Sequence, residues 1–430
     1  MHVLISCVGS AGDVYPFIAI GQALRKRGHR VDLLTSPYFR ERIESAGLQF
    51  APIGTLDDYQ EAVSNADLWH PRRGFPLIWR SIERNLRSAY QQIVDRADSD
   101  TVLVGSTLAF NSRLAQEKLG LSGTTVHLSP SCIFSARAPA KWPGLGWLGY
   151  LPHWLTQVLL NSIERAFIDP VVLPSLNALR NELGLSPVRQ VMSHWVNSPD
   201  QVICAFPDWF APPQSDWPSH SVTTDFPRWG GAEASLDPAL VDFLEAGPPP
   251  IGITPGSAMA HGRPVFDRAL AACDALGLRA VVVTPYRDQL PARLPACVKQ
   301  VDYAPFELLL PKLAACVHHG GIGTSAQCLA AGLPQLVTPW AHDQFDNASR
   351  LQNLGVAESI APLASTNSWA RVLGKLMHDE GVATACRNWA LKCRGGEPAA
   401  AQIVDHIEKL QPAKTRHAQQ EPDPNMMTGA

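Results

Sequence analysis

Hydrophobic and polar positions alternate along this chain in regular blocks. An apolar run at residues 3–8 leads into Gly9-Ser10-Ala11-Gly12-Asp13. Helical spacing follows over residues 15–27, with Phe17, Ile20 and Leu24 on one face and Gly28 as the stop. Residues 31–35 read as a second strand. Strand, helix and strand in that order predict a parallel sheet with helices on both faces. Further strands are expected at 49–53, 101–104, 124–128 and 201–206. A second series begins at Pro250, with strands at 251–254, 280–284, 314–318 and 332–337 and helices between them.

Two such series predict an α/β chain of two doubly wound, Rossmann-like domains. Their cleft lies at the carboxyl ends of both sheets. A length of 430 residues suits this division. We place the first domain at 1–215, a connection at 216–247 and the second domain at 248–411, with its last helix free to pack back on the first. Residues 412–430 are short of large apolar side chains and are expected to be disordered.

Composition narrows the function classes. The chain is 46% hydrophobic and 17% charged, with a net charge of −3, so it carries no electrostatic footprint for nucleic acid. No apolar run is long enough to span a bilayer, and no basic leader precedes the first strand. Nine dispersed cysteines read as the reduced thiols of a cytoplasmic protein. No His/Cys cluster has zinc spacing, so no metal is expected. Monomer and homodimer are both compatible with this composition.

The chemistry concentrates at residues 318–347. His318-His319-Gly320-Gly321-Ile322-Gly323-Thr324 is a Gly-rich turn between an apolar strand and a helix, which presents backbone N–H groups to an anion. Further on, Trp340-Ala341-His342-Asp343-Gln344 sets an acid and an amide side by side at a helix start, where they can read hydroxyls. An anion cradle beside a hydroxyl reader suits a nucleotide sugar. The alternative for Asp343 and Gln344 is a capping cluster for the helix at 345–354. Asp13, at the mouth of the first strand, suits a general base or, equally, a helix cap.

These motifs resemble the donor-site signature of inverting glycosyltransferases of the GT-B fold, the UDP-glycosyltransferase-like family. Within it the resemblance runs to bacterial small-molecule glucosyltransferases and to the rhamnosyltransferases of rhamnolipid synthesis, from Gly9 to about Leu354. The resemblance implies Asp13 as general base. It implies Ser257, His319, Gly321, Gly323 and Thr324 at the donor diphosphate, and Asp343 and Gln344 at the sugar, with Trp340 and His342 flanking them. It puts Tyr303 and Ala304 at the nucleobase, with Thr284 at the neighbouring strand end. Plant members carry Trp and Gln where this chain has Tyr303 and Phe306, so the ribose contact and the choice of base stay open. Core packing is the alternative for Tyr303. His318 reads as a strand-end histidine, and Asp346 and Asn347 as residues that hold the loop.

On the acceptor side, Trp69, His70, Trp79, Phe110, Phe134, Trp142 and Trp147 either line an apolar pocket or belong to the core. The aromatic run at 140–160 reads as a lid, with peripheral membrane contact as the alternative. The expected activity is transfer of a hexose from UDP-glucose or dTDP-rhamnose to a phenol, a natural product or a hydroxy-fatty-acid lipid, without a cofactor. Two other readings remain at this point, a nucleotide-sugar 2-epimerase and a non-catalytic partner of another transferase.

Overall fold

The computed structural model describes residues 1–231, 235–393 and 396–412. The first sheet holds β1 (His2–Ser6), β2 (Arg30–Thr35), β3 (Gln49–Pro52), β4 (Thr101–Ser106), β5 (Ser122–His127), β6 (Gln201–Cys204) and β7 (Ser221–Thr223). The second holds β8 (Ile251–Thr254), β9 (Ala280–Val283), β10 (Val298–Val301), β11 (Ala315–His318), β12 (Gln335–Val337) and β13 (Ala357–Ser359). Their orders are β3-β2-β1-β4-β5-β6-β7 and β10-β9-β8-β11-β12-β13, with parallel pairing throughout. Every residue of β1 and of β4 is buried, which is why the central strands read as continuous apolar runs rather than alternating ones. The direction of winding reverses between β1 and β4 and between β8 and β11. Loops that leave strands at such a point part from one another and open a crevice.

Three strands lie outside the expected set. β10 (Val-Lys-Gln-Val) and β13 (Ala-Glu-Ser) are short, half-polar edge strands, too brief for a periodic signal. β7 lies inside 216–247, the stretch read as a connection, and pairs with β6 at the edge of the first sheet. The same stretch holds the helix Pro238–Glu245, whose Leu240 and Leu244 enter a core of the second half. Most of the tail at 412–430 lies outside the described residues.

The first helix, Ala11–Lys26, starts four residues before the apolar spacing does. Ser10 starts it through bonds to Asp13 rather than through any hydrophobic residue. At the other end of the chain, the helix Gly396–Ile407 lies against Ala11–Lys26. Ile403, Val404 and Ile407 are fully buried in the same cluster as Val14, Phe17 and Leu24. Arg27 donates to Asp405 and Glu408 along this seam. All nine cysteines are free thiols.

Residues 153–182 form one long helical rod, His153–Ile163, a π-helical turn at Glu164–Ile168, and Asp169–Glu182. Glu164 is buried at the turn, where its carboxylate accepts the N–H groups of Met192 and Ser193 at 2.7 and 2.9 Å. Trp142, Leu145, Ile163 and Phe167 of this region reach the cleft. Trp147, Tyr150 and Trp154 are exposed on its outer side. Among the described residues, no helix is long and apolar enough to cross a membrane.

Candidate active site

A cavity of about 1430 Å³ lies between the two halves and is lined by both. At its centre the N-terminal ends of the helices Ala11–Lys26 and Ile322–Ala330 meet. A Cβ on Gly323 would sit 3.3 Å from the Cα of Gly12, so glycine allows the two helix starts to touch. Two positive helix ends then face one small volume, and the first-turn N–H groups of Ile322, Gly323 and Thr324 lack intrahelical acceptors.

Asp13 is bonded into the helix start and also faces the cavity. Ser10 donates to its Oδ2 twice, from the backbone N at 2.7 Å and from Oγ at 3.0 Å. Oδ1 takes neither bond, and the residue lines the cavity. Gly9, at φ +140°, leaves room for this carboxylate, because a Cβ there would collide with Asp13 Oδ2. Burial raises the Asp13 pKa above the ordinary carboxylate range, and the two Ser10 bonds draw it part of the way back.

The opposite wall is built from β11 and β12. His318 is tied on both sides: Nε2 meets Gln335 Oε1 at 3.0 Å, and Nδ1 accepts the N–H of Gly320 at 3.1 Å. His319, the next residue, lines the cavity, and its Nδ1 has no partner. Burial first, then the neighbouring His318 and His342, push its pKa down to about 3, so the imidazole is neutral, with one donor and one acceptor.

The loop before the helix Gln344–Asn353 carries Asp343, with Gln344 as the first residue of the helix. Gln344 Oε1 accepts the N–H groups of Trp340 at 2.7 Å and of Ala341 at 3.1 Å. Its carbonyl is thus taken by the loop, and the amide Nε2 is left to donate into the cavity. Asp343 occupies the N-cap position but makes no capping bond, and its Oδ2 accepts from Asn347 Nδ2 at 2.7 Å instead. Burial, with Asp13 as the second cause, pushes the Asp343 pKa up to about 7. Asn347 also donates to the carbonyl of Gly320 at 2.9 Å, which joins the Gly-rich turn to this loop. Asp346 accepts from the Lys141 backbone at 3.0 Å and from Arg350 at 2.7 Å. His342 has φ 56°, an unusual backbone state for a non-glycine residue, and its ring lies 5.7 Å from that of Trp69 across the cleft.

Of the other expected residues, Ser257, Tyr303, Ala304, Trp69, His70, Phe134 and Trp142 line the cavity. Five do not reach it, among them Trp147, which is exposed. Phe110 is 1% exposed, edge-on to Trp79 and stacked on Trp195 at 5.5 Å, so both Phe110 and Trp79 are core. Thr284 is buried in its turn, accepting the N–H of Tyr286 at 3.2 Å. Trp340 packs against the core of the second half. The sequence reading missed Tyr38, Arg42 and Tyr59, which line the cavity just past β2 and β3. They carry no motif, and only their place beyond strand carboxyl ends marked them.

Two doubly wound parallel sheets facing each other across a cleft are the fold of GT-B glycosyltransferases. Residues 3–135 match the model of the glycosyltransferase family 28 N-terminal domain. Residues 269–410 match that of the erythromycin biosynthesis protein CIII-like C-terminal domain. The chain is 28% identical over 386 residues to the O-mycaminosyltylonolide 6-deoxyallosyltransferase of Streptomyces fradiae, covering 85% of this chain and 87% of that protein. It is 25% identical to the vancomycin aglycone glucosyltransferase of Amycolatopsis orientalis, covering 96% of this chain and 99% of that one. The solved structure of the spinosyn forosaminyltransferase SpnP superposes with a TM-score of 0.70 at 19% identity, covering 95% and 98% of the two chains. Both matched models and these relatives are glycosyltransferases, and the chain is a nucleotide-sugar-dependent hexosyltransferase. This sets aside the epimerase and non-catalytic readings.

Proposed function

We propose that the protein moves a hexose from UDP-glucose or dTDP-rhamnose to the hydroxyl of a small lipophilic acceptor, inverting the anomeric carbon. The observation that carries this reading is the convergence of Asp13 with His319, Thr324 and Asp343 on one cavity from opposite halves. Asp13 takes the proton of the acceptor hydroxyl. The acceptor oxygen bonds to C1 as the C1–O bond to the diphosphate breaks, and the electron pair leaves on the phosphate oxygen. A single displacement from the far face inverts the centre. A pKa above the usual carboxylate range makes Asp13 a stronger base than an exposed aspartate.

His319, the Thr324 hydroxyl and the first-turn N–H groups meet the charge that develops on the diphosphate, a preorganised role that needs no cation. Gly321 and Gly323 let the backbone approach it, and Ser257 borders the same space. Asp343, near half-protonation at pH 7, accepts or donates to sugar hydroxyls, and Gln344 donates. Tyr303 offers its half-exposed ring to the nucleobase beside Ala304. Trp69, Phe134 and Trp142 form the apolar acceptor wall. The 6-deoxyallosyl- and glucosyltransferase relatives support a 6-deoxyhexose and glucose alike.

Calorimetric titration with UDP, dTDP, UDP-glucose and dTDP-rhamnose tests the donor. Preference for the uridine pair assigns glucose transfer, and preference for the thymidine pair assigns rhamnose transfer. Binding of neither pair rejects the reading.

A further inference from the structure

Tyr303 is half exposed at the cavity wall, and a cation of the first half lies over its ring. Arg42 lies in the short helix Arg40–Ser45, just past β2 in the first half. Its guanidinium carbon sits 5.7 Å from the ring centre of Tyr303, in the second half. It is also 6.0 Å from Tyr15 and 5.9 Å from Tyr38. All four side chains line the cavity. Among the described residues Arg42 forms no ion pair, unlike Arg84, which lines up with Asp58 and Glu61 nearby at 2.8 Å. The ring contacts leave the N–H donors of the guanidinium without a hydrogen-bond acceptor among the described residues.

We propose that Arg42 covers the second face of the donor nucleobase, with Tyr303 on the first. This rests on the donor reading above and deepens it. A planar, delocalised cation stacks on a flat ring, as the tyrosine does from the other side. Two stacked layers need about 7 Å, at about 3.5 Å each. The present spacing falls about 1 Å short of that, a distance that the flexible Arg side chain supplies. The base then bridges the two halves, and binding the nucleotide draws them together. Sandwiching by two general-purpose flat surfaces also grips uracil and thymine alike. The residue that chooses between them must lie at the edge of the ring.

Titration of the full-length protein with UDP, dTDP and inorganic pyrophosphate tests this, using wild type, R42A, R42K, Y303A and R42A/Y303A. R42A is expected to weaken both nucleotides about tenfold and leave pyrophosphate unchanged. R42K keeps the charge but not the plane, so it recovers little of the loss. The double variant loses less than the sum of the single ones, because each partner holds the same base. Unchanged nucleotide binding in R42A overturns the proposal, as does an equal loss of pyrophosphate, which would make Arg42 a phosphate ligand. A melting temperature matching wild type shows that R42A is folded. If wild type binds neither nucleotide, the donor reading falls and this inference with it.

Discussion

The two walls of the cleft are built on different plans. The second-half wall is cross-tied by polar bonds: His318 to Gln335, Gln344 to the backbone of residues 340 and 341, Asn347 to both Gly320 and Asp343. The first-half wall carries two tethered acids, Asp13 and Asp58, and a broad apolar stretch that includes Trp69, Phe75, Phe134 and Trp142. A hydrogen-bonded wall holds a polar ligand in one orientation and rejects analogues that leave its groups unpaired. An apolar wall ranks ligands by shape and area and tolerates near-isosteres. On the reading proposed above, a strict choice of sugar and a broad choice of acceptor are the expected outcome.

The sharpest way to break this contrast is at Asp13, on the first-half wall. Asp13→Asn should cut turnover by about 10²–10⁴-fold with nucleotide affinity unchanged. Asp13→Ala should add a loss of about 1 kcal/mol in stability as Ser10 loses its partner. Full turnover in both variants would leave Asp13 as a cap alone. Next comes the apolar wall itself: Phe134→Ala and Trp142→Ala should each raise the acceptor KM roughly tenfold without moving the dissociation constant of UDP or dTDP. A parallel loss of nucleotide binding would mean that the walls are not independent.

The polar wall can be probed through its protons. His318 and His319 are held neutral by burial, with folded pKa values of about 4 and 3. In the unfolded chain an imidazole titrates near 6.5, about its ordinary value, and binds a proton that the folded state does not. Their contribution is therefore intact above about pH 6.5 and is lost progressively as the pH falls toward 4. Urea melts at pH 7.5 and 5 should show that decline. Asp343 runs the other way, because its folded pKa is raised to about 7. It favours the fold at low pH and loses that contribution as the pH rises through 7. Asp343→Asn should then raise the melting temperature by on the order of a few degrees at pH 8, with little change at pH 5, while slowing transfer. Equal shifts at both pH values would discard the buried-charge account. The smallest expected effect is that of EDTA, which should leave transfer intact. A loss restored by a divalent ion would give the diphosphate charge to a metal instead of to the helix ends.

The legibility of the sequence followed the same division. The polar wall is local: His319 to Thr324 and Asp343 to Gln344 are contiguous runs whose glycines and amides stand at fixed offsets from strand ends. The central strands β1, β4 and β8 were visible because burial on both faces leaves no polar interruption. Edge strands β7, β10 and β13 were not, being three or four residues long and half-polar. The apolar wall is assembled from distant segments, and a ring in the core looks the same in sequence as a ring at a cavity. Phe110 and Trp142 differ only in what the fold sets beside them, Trp79 and Trp195 for one and the cleft with Phe134 for the other. Arg42 was invisible for the same reason, since its neighbour Tyr303 is 261 positions further along the chain.

The closing helix Gly396–Ile407 has a consequence for building chimaeras. The backbone passes from one half to the other twice, once on the way to β8 and once after Lys392, before the helix docks on Ala11–Lys26. A donor half exchanged between relatives with a single cut near residue 247 would bring a foreign closing helix onto the wrong groove and strip Ile403, Val404 and Ile407 from their native neighbours. Grafting has to use two junctions, so that the last segment stays with the acceptor half. The modular unit of this enzyme is therefore an insert flanked on both sides by its host, and not a C-terminal domain.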